Sequence, residues 1–133
     1  MQNNNDYNIL VVDNDEDIVE LVREILETEG YRVESALNVS QTEEFLRNND
    51  PDLIVLDVLL PDGDGYELCR RITKNPRTSK TPVLLLTGKS SLDDRLRGFS
   101  DGARKYITKP FELDELTRSV HKLLNRDASD TSH

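Results

Sequence analysis

The residues of this 133-residue chain that could do chemistry stand just behind short apolar runs. Asp13, Asn14 and Asp15 follow Asn8–Val12 (NILVV), Asp57 follows Leu53–Leu56, Thr87 follows Pro82–Leu86, and Thr108 and Lys109 follow Lys105–Ile107. Any one of them alone reads as a turn or helix-cap residue, because short polar side chains bond their own backbone there. Together they offer carboxylates, a hydroxyl and an ammonium. Carboxylates brought within about 4 Å repel by roughly 4 kcal/mol per pair at an effective dielectric near 20. Such a cluster needs a cation, a shared proton or the Lys109 ammonium. Oxygen ligands without His or Cys suit Mg²⁺, which takes few protein ligands and keeps several waters. His121, inside a helical pattern, and His133, at the end of the chain, read as solvated side chains away from this group. An Asp nucleophile, a hard cation, a hydroxyl and a lysine are the parts required to move a phosphoryl group onto a carboxylate. Thr87 and Lys109 would then bond the new phosphate, whose charge and acceptor oxygens can reposition a loop.

For this to work, the chain must deliver all these residues to one edge. Asn8–Val12 is apolar without alternation, as in a strand buried on both faces. Ile18, Leu21, Val22, Ile25 and Leu26 recur at helical spacing behind an acidic first turn, and Gly30 marks the stop. Tyr31–Ser35 predicts a second strand, and Asn38 with Gln41 predicts a capping box opening a helix to about Asn48. Leu53–Leu56 is the third strand, and Pro61-Asp62-Gly63-Asp64-Gly65 is a turn-rich loop. A helix carrying Leu68, Cys69 and Ile72 follows. Then come a strand at Pro82–Leu86, a helix through Leu92, Leu96 and Phe99, and a strand at Lys105–Ile107. Leu113, Leu116, Val120, Leu123 and Leu124 give the last helix. Five β/α repeats with short connections imply an α/β fold, a parallel sheet wound on both faces. Its functional groups gather at the carboxyl ends of the strands.

Composition narrows the function. Residues 1–66 carry 17 acids and 3 bases, residues 67–126 carry 14 bases and 7 acids, and the last seven residues add two acids. A net charge of −9 argues against direct nucleic-acid binding and suits a metal site beside a protein-docking surface. No apolar run approaches the ~20 residues of a membrane span, and the Asn-rich start is no signal peptide. The single Cys69 excludes an internal disulfide, so the cytoplasm is the expected compartment. Residues 1–7 read as a polar tail, 8–125 as one domain, and 126–133 as a second tail or the start of a linker.

Four motifs, in order, resemble the receiver domain of two-component response regulators of the CheY-like superfamily. They are Val11-Val12-Asp13-Asn14-Asp15, Leu56-Asp57-Val58-Leu59-Leu60-Pro61-Asp62-Gly63-Asp64-Gly65, Leu86-Thr87-Gly88-Lys89 and Gly102-Ala103-Arg104-Lys105-Tyr106-Ile107-Thr108-Lys109-Pro110-Phe111. The resemblance implies a flavodoxin-like (βα)5 fold with strand order 2-1-3-4-5. It makes Asp57 the phosphoacceptor, Thr87 and Lys109 the catalytic partners, and Thr87 and Tyr106 the switch pair. It assigns Mg²⁺ to Asp13, Asn14, Asp57 and the Leu59 carbonyl, and implies a cis peptide bond at Lys109–Pro110. Partners implied are a sensor histidine kinase or phosphotransfer protein and a downstream effector, with room for a homodimer through the docking face. Such a domain is no conventional enzyme, although it catalyses its own phosphorylation and slow dephosphorylation.

Two positions depart from the family pattern. Asn14 stands where a second metal-binding acid is usual, which weakens the charge holding Mg²⁺. Arg104 and Lys105 stand where the winged-helix subgroup has an acidic pair, and Ser119 where it has an arginine. A stand-alone receiver, or one from another kind of regulator, fits better. Two other functions compete. A receiver-like binding module that no longer phosphorylates would draw on Asn14. An Asp-nucleophile phosphohydrolase would need a second acid where Leu59 stands.

Overall fold

A computed structural model describes residues 4–125. In chain order the elements are β1 (Asn8–Val12), α1 (Glu16–Thr28), β2 (Arg32–Ala36), α2 (Val39–Asn48), β3 (Leu53–Leu56), β4 (Leu59–Leu60), β5 (Gly63–Asp64), α3 (Gly65–Lys74), β6 (Val83–Thr87), α4 (Leu92–Ser100), β7 (Lys105–Thr108) and α5 (Leu113–Leu124). Five strands pair in parallel in the order β2-β1-β3-β6-β7, while β4 and β5 form a separate antiparallel pair. Counting the parallel strands alone, this is the expected 2-1-3-4-5 order of the flavodoxin-like (βα)5 fold.

The unbroken apolar runs are explained by two cores, one on each side of the sheet. Leu10, Val12, Ile54, Leu56, Val83 and Leu85 face one side, with Leu46 of α2 and Leu68 and Ile72 of α3. Ile9, Val11, Leu53, Val55, Leu84 and Leu86 face the other, with Val22 and Leu26 of α1 and Leu116 and Val120 of α5. Neighbouring residues of one strand point to opposite faces, so a strand covered on both sides must be apolar throughout. Each fully buried Leu or Ile contributes about 1.5–3 kcal/mol of transfer free energy.

Local chemistry sets the ends. The Asp15 carboxylate caps α1 by accepting the Asp17 N–H at 2.9 Å. Asn38 caps α2 through the Gln41 N–H at 2.8 Å, but the reciprocal half of the expected capping box is absent. The Gln41 side chain instead accepts the Leu37 N–H at 2.8 Å. The donors at the start of α2 are met from a distance, where the Asp62 carboxylate accepts Val39 N–H at 2.7 Å and Ser40 N–H at 3.0 Å. Two strands sit one residue later than the periodicity predicts, β2 ending at Ala36 and β6 at Thr87. Pro82 has no N–H for the ladder, and Thr87 gains a pairing with Thr108.

Within the stretch read as a polar tail, residues Asn4–Asp6 form a 3-10 turn. The Asn4 amide donates to the Glu29 carbonyl at 2.6 Å, and the Tyr7 carbonyl accepts the Arg32 N–H at 3.1 Å. The rest of the predicted tails, residues 1–3 and 126–133 with His133, lies outside the described residues.

Candidate functional site

The ladder of the sheet runs past the strands and pins the candidate residues. Asp13 N–H donates to the Ala36 carbonyl (3.1 Å), Asp57 N–H to Val12 (2.9 Å) and Lys109 N–H to Thr87 (2.8 Å). Strands lie roughly 4.8 Å apart, so the four adjacent ends of β1, β3, β6 and β7 span on the order of 14 Å. Lys109 reaches into that gap from the β7 end, and the two acid side chains meet it from the ends of β1 and β3. Lys109 Nζ donates to Asp13 Oδ2 at 2.6 Å and to Asp57 Oδ2 at 2.8 Å. Asp13, Asp57 and Thr87 are all buried, at 3%, 6% and 0% exposure, although each carries a polar group.

Buried polar groups at a sheet edge must be matched with partners, and these are. The remaining oxygens of the two carboxylates each take a backbone donor: Asp13 Oδ1 the Asp15 N–H at 2.9 Å, Asp57 Oδ1 the Leu59 N–H at 3.0 Å. Burial pushes the Asp13 carboxyl above the usual carboxylate range, outweighing the opposite pull of Lys109 and of the Asp15 N–H. For Lys109, burial pulls the ammonium down, but the bonds to Asp13 and Asp57 outweigh it and leave it raised. It is charged at neutral pH. Two carboxyl groups share this one ammonium, which favours a further cation at the rim.

Not every predicted residue joins the cluster. Asp15 is exposed and occupied as the cap of α1. Thr108 offers its hydroxyl to Arg95 of α4 at 3.4 Å. Asn14 is exposed beside the rim, and Leu59 is 56% exposed above Asp57. Among the described residues, no group of three or more His, Cys, Asp or Glu could hold a metal ion. The resemblance assigns such an ion to the carboxylates of Asp13 and Asp57, the Asn14 amide and the Leu59 carbonyl. This sparse set of hard oxygens fits a cation that keeps most of its waters.

The segment behind Asp57 holds residues that periodicity reads only as turn. Gly65 opens α3 against the backbone of the acceptor segment, donating its N–H to the Val58 carbonyl at 2.9 Å. A Cβ at this glycine would lie 2.3 Å from Val58 Cα and 2.6 Å from the Asp57 carbonyl oxygen. Only glycine permits that approach. Across the sheet, Tyr106 lies on edge strand β7, yet its ring is 2% exposed. Its hydroxyl donates to the Lys89 carbonyl at 2.7 Å and lies 2.9 Å from the Tyr66 hydroxyl. Lys89 N–H in turn points at Thr87 Oγ1 at 3.4 Å, so Thr87 and Tyr106 engage opposite ends of one residue. Tyr66 was not singled out by the sequence. Its only signal was a bulky residue directly after the Asp-Gly turn. The Lys109–Pro110 peptide bond is cis.

Residues 9–121 match the family model described as the response regulator receiver domain. The chain is 40% identical over 118 residues to the DNA-binding dual master transcriptional regulator RpaA of Synechocystis, covering 89% of this chain and 49% of that protein. It is 39% identical over 118 residues to the phosphate regulon transcriptional regulatory protein PhoB of Rhizobium meliloti, covering 89% and 52%. It thus spans about half the length of these curated relatives. A solved CheY-like response regulator receiver domain protein of Methanospirillum hungatei superposes with a TM-score of 0.86 at 30% identity, covering 93% of this chain and 98% of that one. The buried Asp-Asp-Lys rim, the sheet order and these similarities agree: the chain belongs to the receiver-domain family of two-component response regulators.

Proposed function

We propose that Asp57 accepts a phosphoryl group from the phosphohistidine of a sensor histidine kinase or phosphotransfer protein. The observation that carries this reading is the Lys109 ammonium shared by two buried carboxylates, 2.6 Å from Asp13 and 2.8 Å from Asp57. A carboxylate oxygen of Asp57 attacks phosphorus, an O–P bond forms, and the P–N bond of the donor breaks with its electron pair returning to the imidazole. Lys109 stays beside the transferring oxygens and offsets their charge, and the Thr87 hydroxyl donates to the product phosphate. Mg²⁺, held by Asp13, Asn14, Asp57 and the Leu59 carbonyl, would supply further charge neutralisation at the phosphoryl oxygens. Because Asn14 adds no charge, its hold on this domain is weaker than an acid at that position would give.

The phosphate then draws Thr87, and through Lys89 the Tyr106 side of the sheet, so that the face around Tyr106 changes its affinity for an effector domain, an effector protein or a second copy. The RpaA relative is described as DNA-binding. Here the net charge of −9 favours a partner protein over nucleic acid for this domain. No helix among the described residues is long and apolar enough to cross a membrane. With one free cysteine, this supports a cytoplasmic setting.

The test is labelling with a small phosphodonor and Mg²⁺, read by intact mass. One phosphoryl group should add to the native chain and none to Asp57→Asn. Label persisting on Asp57→Asn would overturn the assignment. Asn14→Asp should lower the Mg²⁺ concentration needed for half-maximal labelling.

A further inference from the structure

The two buried tyrosine hydroxyls admit only one proton arrangement. A carbonyl can only accept, so the 2.7 Å bond from Tyr106 to the Lys89 carbonyl uses the single proton of Tyr106. The 2.9 Å bond between the hydroxyls must then be donated by Tyr66. The result is a relay, Tyr66 O–H to Tyr106 O–H to Lys89 carbonyl, in which each bond polarises the next. Burial raises both hydroxyls above the ordinary phenol range, so both keep their protons at neutral pH.

A second observation concerns space. Gly98 of α4 faces the Tyr106 ring, and a Cβ there would lie 2.9 Å from ring atoms Cδ2 and Cε2 and 2.8 Å from Leu85 Cδ1. The inward ring therefore occupies room that only the missing side chain leaves open. Flanking residues of α4 close the slot. Arg95 lies 5.2 Å over the Tyr106 ring, and Arg97 lies 4.5 Å over the Tyr66 ring while pairing with Asp64 at 2.6 Å.

We propose that the Tyr66 hydroxyl is a positioning group that, with the gap at Gly98, holds Tyr106 inward through protein contacts alone. None of these contacts comes from Asp57 or Thr87, so the inward position has a source of stability independent of the phosphoryl group. Tyr66→Phe removes one donor and keeps the ring. It therefore makes the inward position of Tyr106 more dependent on the state of Asp57. This deepens the proposed function, because it rests on Tyr106 being the switch.

The test labels the protein with 3-fluorotyrosine and reads the ¹⁹F resonance of Tyr106, with its H₂O/D₂O shift as the measure of solvent exposure. In the free protein, one net hydrogen bond corresponds to a roughly 2- to 12-fold change in an equilibrium. Tyr66→Phe should lower the inward-to-outward ratio by that factor, and beryllofluoride with Mg²⁺, a phosphoryl mimic, should restore it. Gly98→Ala should expel the ring more completely with Tyr66 intact, and the change favours the helix itself because Ala is the better helix former. A Tyr106 solvent shift in Tyr66→Phe equal to that of the native protein overturns the role of the hydroxyl. An equally protected ring in Gly98→Ala overturns the role of the gap. The free-protein comparison does not use Asp57, whereas loss of any beryllofluoride effect on the Leu59 and Thr87 amides would count against the acceptor reading alone.

Discussion

Helices α3 and α4 lie on the same side of the sheet and are anchored in opposite ways. From α3, Tyr66, Leu68, Cys69 and Ile72 are buried, packed against strands β1, β3 and β6. From α4, only Gly98 is buried, while Leu92, Leu96 and Phe99 stand 70%, 57% and 46% exposed. α4 is held by a reciprocal cap between Ser91 and Asp94, the Arg97–Asp64 pair, the Phe99 ring against Tyr106 and two guanidinium groups over tyrosine rings. Buried apolar residues contribute about 1.5–3 kcal/mol each, whereas exposed ion pairs contribute roughly 0–1. The acceptor segment is thus backed by a fixed helix, and the opposite side of the rim by one that can shift at little cost. Segments that move on signalling are drawn from such weakly anchored structure.

This contrast can be broken from either side. Leu68→Ala in α3 should destabilise the domain by about 2–5 kcal/mol, while Leu96→Ala in α4 should stay within roughly 0.5. Urea unfolding of the two variants side by side measures the difference, and equal midpoints would abolish it. Gly65→Ala should cost about 1–3 kcal/mol or more, because the added Cβ meets the backbone of Val58 and cannot be relieved by a side-chain rotation. The same substitution at Gly98 should cost less, since the Tyr106 ring can leave. Arg97→Ala removes one exposed ion pair and one ring contact, for about 0.5–1 kcal/mol, and should raise amide exchange in α4 without raising it in α3.

The smallest expected effect depends on pH. The bonds from Ser40 and Val39 N–H hold the exposed Asp62 carboxyl below its ordinary range near 3.9. A lowered folded-state value means that its contribution is present above the unfolded value and lost as pH falls through the folded one. Unfolding free energy should therefore drop below about pH 4 less steeply in Asp62→Asn than in the native chain, checked by denaturant midpoints across that range.

Much of this was readable in the residues. NILVV at Asn8–Val12 and Leu53–Leu56 gave strands with the observed bounds, because a strand buried on both faces has no polar alternation to blur its ends. The strand-end rule then selected Asp13, Asp57, Thr87 and Lys109, together with Asn14, Asp15 and Thr108, of which Asp15 and Thr108 are engaged elsewhere. The α4 pattern was a partial success. Leu92, Leu96 and Phe99 repeat at helical spacing, but Leu92 and Leu96 are exposed and Phe99 is only half-covered against the Tyr106 ring, and periodicity does not say which face the sheet covers. Asp15 reads as a third rim carboxylate, but its bond to the Asp17 N–H makes it a cap.

The sequence by itself determined the order of the five β/α repeats, the parallel sheet and the identity of the acidic and basic groups at its edge, though not the small β4–β5 pair. Those depend on hydrophobic period and on which residue follows each strand, both local properties. Tertiary structure decided that one lysine bridges two carboxylates from strands β1 and β3, that Asp62 caps a helix 22 residues away in sequence, and that Tyr66 meets Tyr106. Each of these joins residues far apart in the chain. Their meeting is set by how helices and loops pack onto the finished sheet, which no local pattern of residues encodes.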